Sequence, residues 1–363
     1  MRAATWPRDE PLDERLLLVD GRTDRYDDAR VGDLARVLRA GDLVVLNDAA
    51  TIPASLEGRT ARGVCVEARL VAEGVDGAWQ AVLFGEGSWR TRTEDRAPPP
   101  ALAVGDALVF SRAPSADATL TAHVVDVSAI SPRLVTLRFD AHDAELWSAL
   151  YRIGRPVQYA YVTAPLELWH VQTPYASRPW AVEMPSAGRP LRASLLRSLT
   201  TAGVGVATIT HAAGLSSTGD PAIDAALPLP ERFDVPAATV DAVERTRARA
   251  SESGGRVIAV GTTVVRALEG SARLHGDALV AGAGTTDFRI DHAFVPRVVD
   301  ALFTGLHEPT ASHFRLLEAF APVALLERAY AHAVRSGYVC HEFGDSSLIV
   351  RNPARRAARD ARE

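Results

Sequence analysis

The sequence contains no lysine: apart from 10 histidines, its basic side chains are all arginine, 40 of them. A Schiff-base lysine and the lysine of a phosphate-binding loop are therefore excluded. A GC-rich coding bias explains the absence and says nothing about function. Cysteine is nearly absent too. Cys65 and Cys340 stand far apart, which gives no disulfide framework and no Cys-x-x-Cys pair for zinc; both read as buried free thiols. No apolar run approaches the roughly 18–20 residues of a membrane span, and residues 1–10 lack an apolar segment of secretory type. The expectation is a cytoplasmic protein with no membrane partner. Excess positive charge is also missing. The formal net charge is −5, so no global field draws in nucleic acid, and an RNA-binding face would have to be a local cluster of arginines.

Several motifs are absent as well. No Gly-x-Gly-x-x-Gly follows a strand, there is no Walker loop, and no His-Glu-x-x-His spacing offers a metal site. His211 lies near Ser216 and Ser217, but the Gly-x-Ser-x-Gly elbow of a serine hydrolase is missing. No metal is expected.

What is present is ample material for a folded enzyme. The chain has 363 residues, 47% of them hydrophobic and 23% charged, enough for two domains. Residues 31–38 read as a short helix leading through Ala40-Gly41-Asp42 into a buried strand, Leu43-Val44-Val45-Leu46-Asn47. Between about residues 59 and 140 the texture changes. Five short alternating runs, 64–71, 79–84, 107–110, 120–125 and 134–139, are separated by Gly, Pro and Asp, the pattern of a small antiparallel barrel or sandwich. Afterwards strands and helices alternate: a helix over 191–202 closed by Gly203, a strand over 204–209, a helix over 236–253 ended by Gly254-Gly255, a strand over 256–260, and helical residues 314–335 interrupted at Pro322. This predicts an α/β fold: a layered mixed-sheet main domain, residues 1–58 plus 141–351, carrying an inserted small antiparallel β-barrel domain, 59–140. A polar tail covers 352–363.

Four stretches could carry chemistry. In Val260-Gly261-Thr262-Thr263-Val264-Val265-Arg266 a strand ends and a helix begins. The free N–H groups of a first helical turn suit a carboxylate or phosphate. Gly261 permits close approach, Thr262 or Thr263 can cap, and Arg266 lies one turn in. An ordinary helix cap remains the plain alternative. Pro185-Ser186-Ala187-Gly188 is a second close-approach loop, or a simple turn. In Thr304-Gly305-Leu306-His307, the histidine is a neutral-pH acid or base, or a structural hydrogen-bonder. Gly344-Asp345 is a turn whose aspartate could bind a hydroxyl or ammonium group.

The order of these stretches resembles the S-adenosylmethionine:tRNA ribosyltransferase-isomerase family over about residues 11–351. Gly41-Asp42-Leu43 to Asn47, then Ile52-Pro53-Ala54 and Gly58, is similar to the family's Gly-Asp-Leu…Asn-x-Thr-x-x-Ile-Pro-Ala-Arg-Leu-x-Gly. Gln172-Thr173-x-Tyr175-Ala176 and Pro185 to Gly188 resemble Gln-Thr-x-Tyr-Ala and Ala-Pro-Thr-Ala-Gly-Leu-His-Phe. Arg256 to Glu269 is similar to Arg-Val-Ile-Ala-Val-Gly-Thr-Thr-x-x-Arg-x-Leu-Glu. Thr304-x-x-His307-x-Pro309 and Gly344-Asp345 resemble Thr-Asn-Phe-His-Leu-Pro and Tyr-Gly-Asp-Ala-Met. The resemblance implies an α/β domain with an inserted β-barrel. It also implies transfer and isomerisation of the ribosyl part of S-adenosylmethionine, the co-substrate, onto 7-aminomethyl-7-deazaguanine (preQ1) in tRNA. Epoxyqueuosine forms, and adenine and methionine leave. Such chemistry needs a base for the proton beside the sulfonium, and the residue chemistry nominates His307 and His211. It needs a hold on methionine, for which the Gly261 helix start suits the carboxylate and Asp345 the ammonium. Ser186, Ala187, Gly188, Thr262, Thr263, Arg266 and Thr304 complete the expected donor site.

This chain departs from the family pattern at Ala50 and Ser55, where the motifs carry arginine, at Pro190, where they carry histidine, and over residues 211–217, 305–306 and 308–312. The departures leave open an S-adenosylmethionine-dependent transferase or lyase acting on a small molecule, or a binding protein without catalysis.

Overall fold

The computed structural model describes residues 1–74, 76–112, 118–250, 254–291, 293–307 and 312–352. At its centre lies the Leu43–Asn47 strand, buried at every residue. Gly205–His211 runs parallel to it on one side and Val257–Val260 on the other. Ala301–Gly305 continues the parallel run. Beyond it come Ser346–Val350, antiparallel, then Arg15–Asp20 and Arg25–Arg30. Glu231–Val235 and Gly282–Thr286 finish the other edge, completing a nine-stranded mixed sheet.

Both faces of this sheet are covered. Leu43, Val45, Val257, Ala259 and Leu302 join one core with helices Thr262–Leu274 and Val323–Arg335. Val44, Leu46, Ile258 and Phe303 join another with helix Ala193–Thr201. Burial on both sides is why these strands read as continuous apolar runs rather than alternating ones. The helix starts and stops follow local chemistry: Pro236 and Pro322 are N-caps, and Gly203 and Gly337 take φ of +81° and +76° just past helix ends.

The β-rich region closes into a six-stranded antiparallel barrel, in the order Thr119–Val127, Leu134–Phe139, Trp79–Phe84, Cys65–Glu73, Ser55–Thr60, Ala107–Ser111. Five of these were legible as alternating runs. The sixth, Ser55–Thr60, is masked by Gly58. Here a Cβ would lie 2.6 Å from the Phe110 ring, so an inward position that should announce itself as apolar carries no side chain. Cys65, expected to be buried, is exposed at the start of its strand, whereas Cys340 is buried. Most of the polar tail lies outside the described residues.

The barrel also holds a buried charge cluster. Arg69 Nε donates to Glu67 Oε1 at 2.8 Å and Arg96 Nη1 to Glu67 Oε2 at 2.5 Å. Ser55 Oγ adds a third hydrogen bond at 2.8 Å, and the Arg69 guanidinium lies 4.6 Å from the centre of the Phe84 ring. Burial by itself would raise the Glu67 pKa, but the two guanidinium groups overcome it and hold the carboxyl at about 2, against an ordinary 4.5. A depressed carboxylate stabilises the fold above its unfolded pKa, and that contribution fades as pH falls from 4.5 towards 2. Glu67→Gln should therefore cost about 3–5 kcal/mol at pH 7, because it leaves two buried guanidinium groups without a counter-charge. Urea titrations should also show a flatter loss of stability in the variant between pH 4.5 and 2. An unchanged midpoint at pH 7 would refute this account of the barrel.

Candidate active site

Four parallel strands end at one edge of the sheet, and in open α/β sheets that edge is where ligands bind. The residues that terminate them set the geometry. Asn47 ends the central strand and is 1% exposed. Its amide Nδ2 donates to His211 O at 3.0 Å and to Thr263 Oγ1 at 3.2 Å, while its Oδ1 accepts from the N–H of His211 at 2.9 Å and of Ala49 at 3.1 Å. One side chain thus fixes two strand ends and a helix start.

That helix is Thr262–Leu274. Its cap is Gly261, at φ +87°, and no side chain caps it. The expected threonine cap is not formed, because Gly261 takes the N-cap position and both threonines lie inside the helix, where Thr263 Oγ1 accepts from Asn47. The Ser186–Gly188 turn lies against this start: a Cβ on Gly261 would sit 3.5 Å from Ala187 Cβ. Behind the turn, a Cβ on Gly188 would fall 1.9 Å from Tyr175 OH and 3.3 Å from Thr173 Cγ2. Glycine at 188 therefore lets the Gln172–Tyr175 stretch pack under the turn.

Around this contact, buried polar atoms lack hydrogen-bond partners. They are Thr173 Oγ1, Tyr175 OH, Arg189 Nη1 and both ring nitrogens of His211. Unpaired buried polar groups are rare and costly, and a cluster of them marks a place where a ligand or ordered water completes the bonding. Burial raises the Tyr175 pKa, so its hydroxyl stays protonated and available as a donor.

The expected site residues fall into four groups. Ser186, Ala187, Gly188, Gly261, Thr262 and Thr263 meet at the sheet edge, as just described. Thr304 and His307 stand at the end of the next strand, with Thr304 Oγ1 and His307 Nε2 3.5 Å apart. His211 is fully buried, and burial followed by the Arg266 charge holds its pKa well below the usual value, so the ring is neutral. Its Nε2 lies 3.5 Å from Glu231 Oε2. Arg266 and Asp345 are engaged elsewhere. The Arg266 guanidinium pairs with Glu231 and donates through Nε to Phe288 O at 3.0 Å. Asp345 is 1% exposed and accepts from Arg8 Nη2 at 2.6 Å, Arg15 N at 3.1 Å and Val339 N at 2.8 Å. Its carboxylate has little capacity left for an ammonium group.

Residues not singled out as site candidates complete the edge. Glu14 is buried beside Asp345 and accepts from Ser346 Oγ at 2.6 Å. Burial pushes its pKa up to about 7, against that hydrogen bond and the Arg8 charge. Arg189 follows the Ser186–Gly188 turn and lies over the Phe343 ring at 5.4 Å. Toward the barrel, Tyr159 donates to Glu183 and Tyr161 to Glu342. The two tyrosine rings stack at 6.1 Å and Tyr161 stacks on His341 at 4.4 Å. The barrel's Arg69 reaches this column, 5.5 Å from the Tyr159 ring centre. Burial raises Glu342 to about 7 as well. Asn47 left a local signal, a polar residue ending an apolar run.

The chain matches the queuosine biosynthesis protein family over residues 2–349. It is similar to the S-adenosylmethionine:tRNA ribosyltransferase-isomerase of Gloeobacter violaceus, at 35% identity over 94% of this chain and 90% of that protein. The protein of the same name from Thermus thermophilus is 36% identical, with 94% of each chain covered. In structure it is similar to S-adenosylmethionine tRNA ribosyltransferase from Thermotoga maritima, with a TM-score of 0.51, 26% identity and 96% of each chain covered.

The contact between Gly188 and Tyr175 is directly testable. Gly188→Ala should destabilise the protein by about 1–3 kcal/mol through overpacking. Adding Tyr175→Phe, which removes the clashing oxygen, should recover part of the loss. Chemical denaturation of the parent and the two variants checks this; equal stability of Gly188→Ala and the parent would show that the turn does not rest on Tyr175.

Proposed function

The chain belongs to the queuosine biosynthesis protein family, and from that membership we propose that it is an S-adenosylmethionine:tRNA ribosyltransferase-isomerase. Its donor is S-adenosylmethionine and its acceptor the aminomethyl group of preQ1 in tRNA. The products are epoxyqueuosine in tRNA, adenine and methionine. The observation that carries this reading is the match along nearly the whole chain. The sheet edge is compatible with it: side-chain polar atoms of Thr173, Tyr175, Arg189 and His211 there have no hydrogen-bond partner within the protein. A tRNA substrate also implies a cytoplasmic enzyme. Among the described residues no helix is long and apolar enough to cross a membrane.

The reaction begins when a base removes a proton from the carbon beside the sulfonium, whose charge stabilises the ylide. His307, next to Thr304 at a strand end, is our candidate for proton transfer. His211 is held neutral but fully buried, which suits a hydrogen-bonding role better than exchange with solvent. The uncapped start of helix Thr262–Leu274 offers N–H groups to negative charge. The Tyr159–Tyr161–His341 column joins the barrel to this edge and helps keep water from the reacting atoms.

A second reading, a small-molecule acceptor, is favoured by two positions where the family motifs carry arginine. Ser55 turns its hydroxyl inward to Glu67. Ala50 lies half-buried in a two-stranded sheet formed by Ala49–Thr51 and Arg178–Ala181. Neither offers a cation to a phosphate, so tRNA binding should have a shallow salt dependence, about one unit of slope less per lost contact.

Incubating the pure protein with S-adenosylmethionine, with and without preQ1-containing tRNA, separates the readings. Adenine release that depends on that tRNA is the expected result. Release that ignores tRNA and responds instead to a small-molecule extract would overturn the tRNA acceptor. No release under either condition would overturn the enzyme reading itself.

A further inference from the structure

Beside the Ser186–Gly188 turn, one buried acid and one buried base retain unused bonding capacity. Arg189 is 8% exposed. Its Nη2 donates to Arg8 O at 3.2 Å, but its Nη1 has no hydrogen-bond partner. Glu14 is 3% exposed and receives a side-chain hydrogen bond from Ser346 Oγ at 2.6 Å. The two are near enough for each charge to act on the other. Even so, neither forms an ion pair among the described residues. The nearby charges do not fill the gap: Arg8 is engaged by Asp345 at 2.6 Å, and Asp345 already accepts from Arg8 and two backbone N–H groups.

A guanidinium with a spare donor next to a carboxylate with spare acceptor capacity is complementary to one common ligand group. An α-amino acid presents a carboxylate and an ammonium a few bonds apart. S-adenosylmethionine ends in such a group. The cluster lies where the donor reading needs it, since Arg189 directly follows the turn that touches Gly261, and Ser346 pairs in register with Leu16 on one side and Gly305 on the other. We propose that Arg189 and Glu14 together grip the α-amino-acid end of the donor, Arg189 Nη1 taking the carboxylate and Glu14 the ammonium. The assignment rests on the donor reading above, and it replaces the helix start and Asp345 as the methionine anchor. It is a feature of this chain's own residues: Arg189 stands where the family motif Ala-Gly-Leu-His-Phe has leucine.

The test compares two neutral thioethers by calorimetry. S-adenosylhomocysteine has the amino-acid end, and 5′-methylthioadenosine lacks it. The parent protein should prefer S-adenosylhomocysteine by at least about tenfold, because a charge-assisted bond in a buried site is worth that much or more. Arg189→Gln should reduce this preference on the order of ten- to a hundredfold, and Glu14→Gln about tenfold, with methylthioadenosine affinity within about twofold of the parent. Arg189→Lys, which keeps the charge, serves if the glutamine variant does not fold. A preference unchanged in the variants overturns the proposal and assigns the spare capacity to internal water. A parent protein that binds methylthioadenosine and S-adenosylmethionine but shows no preference overturns it as well, leaving the donor reading intact. A parent that binds none of the three ligands overturns the donor reading and the proposal with it.

Discussion

Asn47 ends the central strand with almost no access to water, so its amide must find its partners within the protein. It does so by joining the backbone of His211, the N–H of Ala49 and the hydroxyl of Thr263. The consequences spread from there. The two neighbouring parallel strands stop in step, helix Thr262–Leu274 starts without a side-chain cap, and its first N–H groups face the same edge as the Ser186–Gly188 turn. Backbone and side-chain polar groups that regular structure would normally satisfy are left gathered in one place.

Part of the charge in this protein is arranged inside. Arginine supplies all of the positive side chains, and its planar fork makes buried pairing feasible where lysine would serve poorly. Glu67 draws together Arg69 and Arg96 in the barrel, Glu231 takes Arg266, and Asp345 takes Arg8. Each of these networks leaves its acid well bonded. Burial raises the Glu231 pKa even so, and it pushes Glu14 and Glu342, which lack ion pairs among the described residues, up to about 7. Glu14 and Glu342 both lie at the strand-end edge, and raised carboxyl pKa values in such a place are a pattern associated with functional sites.

Much of the architecture was legible in the sequence because it rests on local rules. Alternation exposed five barrel strands, apolar runs exposed three of the four parallel strands but not Ala301–Gly305, and proline or glycine marked the ends of helices. The first barrel strand escaped because Gly58 occupies a position where Phe110 fills the space. The threonine cap failed because the helix begins one residue earlier than a threonine cap requires: Gly261 is the N-cap, and Thr263 inside the helix accepts from Asn47. The site was legible only in its backbone framework. Gly188 against Tyr175, Arg189 beside Glu14, and Tyr161 against His341 are tertiary contacts with no periodic trace. Arg266 and Asp345 illustrate the converse. Their motifs place them at the edge, and their side chains turn to other partners there.

The central claim is that this fold builds a modified base on tRNA. Digesting preQ1-containing tRNA to nucleosides after incubation with the protein and S-adenosylmethionine, and weighing the products by mass spectrometry, tests it most directly. The account predicts loss of the preQ1 nucleoside and appearance of epoxyqueuosine, carrying the ribosyl-derived ring. Recovery of unmodified preQ1 nucleoside while S-adenosylmethionine is consumed would contradict it.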